Sequence, residues 1–247
     1  MNDINPVPPP VPPRYPGHRA NPVPEPLGTR PEELEPIAGP LAAVEAILRQ
    51  PRRVMYQVQQ PGVARVILRM LFVGTFCCLV YGAVVGTFSG GTQLWAAPVK
   101  ICGGLLVSAL ICLPSLYIFT CLSGAQARLP EICGLAAGLV LLSTILLIGF
   151  APVAWLFSES TKSVPWMGGL HLVFWLIAAG FGLRFLDQGF AHSQARSKAG
   201  LNTWMVIFLL VAVQMTTALR PIVGTAGTFL PQEKKFFVAH WLDCLNQ

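Results

Sequence analysis

Ile132–Ser158 reads ICGLAAGLVLLSTILLIGFAPVAWLFS, 27 residues without an Asp, Glu, Lys or Arg. A hydrocarbon core about 30 Å thick is crossed by roughly 20 apolar residues in a helix. Four more stretches of this kind flank it. Met70–Val99 is 30 residues without such a charge, Ile101–Ala127 is 27, and Ser163–Leu183 and Ala199–Leu219 are 21 each. Each is long enough to cross a bilayer once. The pattern predicts an all-α membrane protein: a five-helix transmembrane bundle with a disordered proline-rich N-terminal tail and short interfacial helices. The expected spans are 68–88, 99–121, 133–156, 166–186 and 203–220.

Composition supports the class. Charged residues make up 11 % of the chain, against about 25 % in soluble domains, too few to cover a water-soluble surface. The net charge of +6 suits anionic lipid headgroups, because the basic residues gather near span ends. No basic stripe with interleaved aromatics points to nucleic acid. Cys77, Cys78, Cys102, Cys112, Cys121 and Cys133 lie in or at the ends of apolar runs and no CxxC occurs, so the cysteines read as small hydrophobes. No metal or cofactor site is expected. No cleavable signal peptide is expected either, since the N-terminus lacks an apolar core.

Four regions follow. Residues 1–40 hold 13 of the 22 prolines. Proline fixes φ and donates no backbone hydrogen bond, so a solvated polyproline-II tail is expected. Within it, Pro9, Pro12, Pro13, Arg14 and Tyr15 spell PxxPxR and PPxY, motifs that aromatic grooves on partner proteins bind. Chance spelling in a proline tract is the plainer account, with the tail as a spacer. Residues 41–64 carry Leu41, Val44, Ile47 and Leu48 at helical spacing beside arginines. They read as an amphipathic segment lying in the headgroup region or packed on the span ends. Residues 65–222 form the transmembrane domain, and 223–247 a C-terminal interfacial segment. Lysine and arginine asymmetry across the loops gives a cytoplasmic N-terminus and a C-terminus outside, with Arg69, Lys100, Arg184 and Arg220 as interfacial anchors.

Within the spans, Gly82, Gly86, Gly134 and Gly138 are positions where helix backbones approach closely. Packing within the bundle is the plain reading and a homo-oligomer the sharper one. Pro114 and Pro152 are expected to kink their helices, with Ser115 or a neighbouring span satisfying the Leu110 carbonyl that Pro114 frees. His171 and Gln214 are the candidate intramembrane polar site, although a lone His is more often simply packed. No intramembrane carboxylate and no enzyme motif is present, so the chain reads as a non-enzyme.

Two stretches carry a resemblance. Ala97–Phe119 (APVKICGGLLVSALICLPSLYIF) followed by Gly124, and Gln214–Gly224 (QMTTALRPIVG), resemble signatures of a bacterial multipass family similar to YIP-type five-span proteins. Lys100, Pro114, Ser115, Leu116, Tyr117, Gly124, Gln214, Leu219, Arg220, Pro221 and Gly224 match; Thr217 and Ile222 stand where Trp and Phe are expected. The resemblance implies a non-enzymatic protein that organises or scaffolds a membrane complex through membrane or cytosolic partners. The alternatives are a small-solute transporter or channel, and a membrane subunit of a larger complex. A polar cavity would favour transport, and a dry bundle the other two.

Overall fold

The computed structural model describes residues 25–91, 93–125, 127–161, 163–192 and 199–218. Among them every regular element is a helix: α1 (Pro31–Leu34), α2 (Pro40–Arg49), α3 (Pro51–Gln57), α4 (Val63–Ser89), α5 (Gln93–Leu122), α6 (Leu129–Ser160), α7 (Val164–Ala191) and α8 (Ala199–Ala218). Four of these, α4 to α7, are long and apolar enough to cross a membrane. The fifth expected span falls on α8, whose apolar stretch Ala199–Met215 is shorter.

The long helices outrun the spans expected from hydropathy. In α5 the helix starts six residues before position 99 and runs unbroken past Pro98 and Pro114. Hydropathy marks where side chains turn polar. A helix satisfies its own backbone hydrogen bonds beyond that point, until a residue with another conformation stops it. Gly90 and Gly91, at φ 64° and 55°, supply that stop between α4 and α5, in a region glycine enters without steric cost.

The long helices pack chiefly as α4 on α5 and α6, α7 on α6, and α8 on α5, with lighter contacts between α5 and α6 and between α7 and α8. Their two ends differ. Arg65, Arg128 and Arg184 are exposed near the N-terminal ends of α4 and α6 and the C-terminal end of α7. At the opposite end stand Trp95 (80 % exposed), Trp155 and Trp166 (79 % exposed). Tryptophan favours the level of the headgroups. Arg128 and Trp155 are 27 residues apart along one helix, about 40 Å at 1.5 Å per residue, which matches a bilayer with its interfacial layers.

The arginine end carries a folded cap. Ala43, Ala46 and Ile47 of α2 and Val54, Met55 and Val58 in and after α3 are buried in the same core as α4 and α6. The segment packs on the span ends, while Leu41 and Leu48 stay exposed. The expectation of a solvated tail up to residue 40 is corrected from residue 25 onward. Ile37 is 1 % exposed, and its carbonyl accepts a hydrogen bond from Arg69. Glu33 accepts from Arg52 at 2.5 Å and from the Gly28 amide. Arg52 also donates to the Pro26 carbonyl (2.9 Å), and Arg53 to that of Glu35 (3.0 Å). Residues 25–39 thus offer apolar side chains and carboxylates to a cap that presents arginines. Pro9, Pro12, Pro13, Arg14 and Tyr15 lie outside the described residues, as do Arg220 and the segment 223–247.

Candidate functional site: polar groups between the spans

Several hydroxyls of the spans are turned to their own helices. Ser108 Oγ donates to the Gly104 carbonyl (2.7 Å), Thr120 Oγ1 to that of Leu116 (2.7 Å), and Thr144 Oγ1 to that of Val140 (2.9 Å). A hydroxyl on a helix reaches the carbonyl one turn back, which satisfies it without water. Ser143 crosses instead to the Ala178 carbonyl on α7, at 3.2 Å. It does so where Gly182 leaves room: a methyl group at Gly182 would meet Ser143 Oγ and stand 3.0 Å from the Leu139 carbonyl oxygen.

Pro114 follows the same rule and corrects one expectation. Ser115 Oγ donates to the Cys112 carbonyl (2.8 Å), and Trp204 Nε1 on α8 donates to the same oxygen (2.9 Å). The hydroxyl does not serve Leu110, because a side chain at position 115 reaches three or four residues back and Leu110 is five away. Pro152 likewise lies inside the unbroken helix α6.

His171 has a partner. Its Nδ1 and the Tyr81 hydroxyl share a hydrogen bond of 2.8 Å between α7 and α4, with the rings edge to face. Its Nε2 is buried and, among the described residues, without a partner. Tyr81 belongs to a small apolar cluster with Val85, Leu147, Ala151 and Phe174. Gln214 Oε1 on α8 is likewise buried and unpaired among the described residues. His171 Nε2 and Gln214 Oε1 do not bond each other. No group of three or more His, Cys, Asp or Glu is arranged to hold a metal among the described residues.

The glycines meet partners within this chain. A methyl group at Gly82 would stand 2.5 Å from Pro98 Cα, one at Gly134 2.6 Å from Val58 Cγ1, and one at Gly138 2.5 Å from the Phe185 ring. Gly86 is buried on α4. Arg69 ties α4 to the cap and Arg184 is exposed at the end of α7. Lys100 is 2 % exposed and lies nearly two turns into α5.

Tyr81 and Trp204 escaped the sequence reading. Each bonds a residue about 90 positions away, so no local spacing announces the pair. The available signal was a polar-tipped aromatic inside an apolar run, a residue that seeks a partner when buried. No family model matches the chain, and neither does a curated protein or a solved structure.

Proposed function

We propose that this chain is a non-enzymatic multi-pass protein that organises a membrane complex. In this reading α8 is a fifth span: its 20 residues extend about 30 Å, the thickness of the hydrocarbon core. The N-terminus and the cap lie on the cytoplasmic side with the arginines, and the C-terminus lies outside. In a bacterium the host bilayer is the cytoplasmic membrane. The observation that carries the reading is that hydroxyls of the spans are satisfied within the protein. The hydroxyls of Ser108, Thr120, Ser143 and Thr144 are spent on backbone carbonyls, and glycines bring α4 against α5 and α6 against α7 at backbone contact. Such packing suits a rigid platform and leaves a solute few groups to bind. The resemblance to YIP-type proteins points the same way.

The test compares the full chain with a variant lacking residues 1–24, which keeps everything tied to the cap from Glu25 onward. Both are extracted from their native membrane in mild detergent and also reconstituted in lipid vesicles. The full chain is expected to retain stoichiometric partner proteins that the shortened chain loses, and its vesicles to pass solutes no faster than empty ones. Ion or small-solute flux that scales with protein content would overturn the proposal in favour of transport.

A further inference from the structure

Antiparallel helices α4 and α5 make their closest approach where Gly82 faces Pro98: a methyl group on Gly82 would stand 2.5 Å from Pro98 Cα and 3.1 Å from its nitrogen. Adding one C–C bond puts the two Cα atoms no more than about 4 Å apart. One turn back from Gly82 on α4 is Cys78, and one turn on from Pro98 along α5 is Cys102. In an antiparallel pair those two positions face each other. Both side chains are buried in the same core. A disulfide needs Cα atoms roughly 4.4–6.8 Å apart with the Cβ atoms turned toward each other. Backbones touching one turn away bring the two positions toward that range.

We propose that Cys78 and Cys102 form an oxidisable dithiol, closing to a disulfide that bolts α4 to α5 inside the membrane. The oxidant is a hydroperoxide that partitions into lipid. One thiol gives up its proton and attacks the peroxide oxygen, the O–O bond breaks, the departing alkoxide takes that proton and leaves as an alcohol, and a sulfenic acid forms. The second thiol then displaces its hydroxyl as water and the S–S bond forms. Two thiols are oxidised, and one hydroperoxide is reduced to an alcohol and water. Cys121, exposed at the end of α5, serves as an internal reporter of oxidant exposure. The inference is independent of the organising role.

The full-length protein in lipid vesicles is treated with cumene hydroperoxide, then digested without reductant and analysed by mass spectrometry. The expected product is a peptide containing Cys78 joined to one containing Cys102, lost on adding dithiothreitol. Cys78→Ser and Cys102→Ser each abolish it, whereas Cys77→Ser and Cys121→Ser leave it. Gly82→Ala, which drives α4 away from Pro98, lowers its yield severalfold with both thiols still present. Gly103→Ala, where a methyl group meets nothing within 4 Å, leaves the yield unchanged. Oxidation of Cys121 to completion without the Cys78–Cys102 link would overturn the proposal, as would a link made by Cys77 instead of Cys78.

Discussion

Trp204 on α8 donates its indole N–H to the carbonyl oxygen of Cys112 on α5 at 2.9 Å, two residues before Pro114. The ring is buried and stacks on Phe208 one turn along. The same oxygen also accepts from Ser115. A proline disturbs the regular carbonyl ladder just ahead of it, and here α8 places a donor beside that disturbance. The bond anchors the last described helix to the rest of the bundle.

Replacing Trp204 with Phe keeps most of the buried area and removes the donor. The expected cost is about 1 kcal/mol, the net worth of one hydrogen bond. Trp204→Ala also empties the space and is expected to cost about 3–5 kcal/mol. Thermal unfolding in detergent, followed by the exposure of buried cysteines to a maleimide dye, measures both. Equal midpoints for Phe and Trp would show that the bond adds nothing to packing.

Gly82 and Gly149 form a matched pair for helix packing. Gly82 faces Pro98 backbone at 2.5 Å, and nothing lies within 4 Å of a methyl group at Gly149. Backbone cannot swing aside as a side chain can, so Gly82→Ala is expected to cost about 1–3 kcal/mol, the usual penalty of overpacking. Gly149→Ala is expected to be neutral, or stabilising by up to about 1 kcal/mol through helix propensity. Midpoints measured side by side decide it.

Tyr81→Phe strips His171 of its bonded partner, leaving a buried ring nitrogen unsatisfied at a cost of about 1–3 kcal/mol. His171→Phe orphans the Tyr81 hydroxyl in the same way. The double variant removes both polar groups, so its loss is expected to be smaller than the sum of the singles. A double-mutant cycle reads that coupling directly. Strict additivity would show that the two rings are neighbours without an energetic bond.

Glu33 makes the cap sensitive to acid. Burial pushes its carboxyl up, but the Arg52 hydrogen bond, the Gly28 amide and the charges of Arg52 and Arg30 together outweigh burial and hold it below the ordinary glutamate value. A carboxylate depressed by folding adds stability that is fully present above its unfolded pKa and is lost as pH falls through its folded pKa. The hold of residues 25–39 on α3 is therefore expected to be complete at neutral pH and to loosen only in acid, below the ordinary glutamate range. Hydrogen exchange of the amides of residues 27–37, followed from pH 7 to pH 3 and corrected for intrinsic rates, would show protection falling there. Glu33→Gln is expected to be weaker at neutral pH and to lose the acid step.

The membrane class and the approximate place of α4 to α7 were legible in the sequence. Hydropathy is a sum over neighbours in the chain, and any window of about 20 apolar residues carries it whole. Gly82 was legible too as a place where a helix backbone comes close, though not that Pro98 is what it meets. Other features depended on residues far apart in sequence. Residues 25–39 looked like an extension of the proline tail until Arg52, Arg53 and Arg69 supplied partners from α3 and α4. His171 looked solitary because Tyr81 stands 90 positions earlier. The burial of Lys100 was not visible in its neighbours in sequence, which mark a span end. Local composition determined that these helices belong in a bilayer. Which faces meet, and so which thiols, rings and charges become partners, was decided by how the helices cross, since side chains from different helices become neighbours only once the bundle is packed.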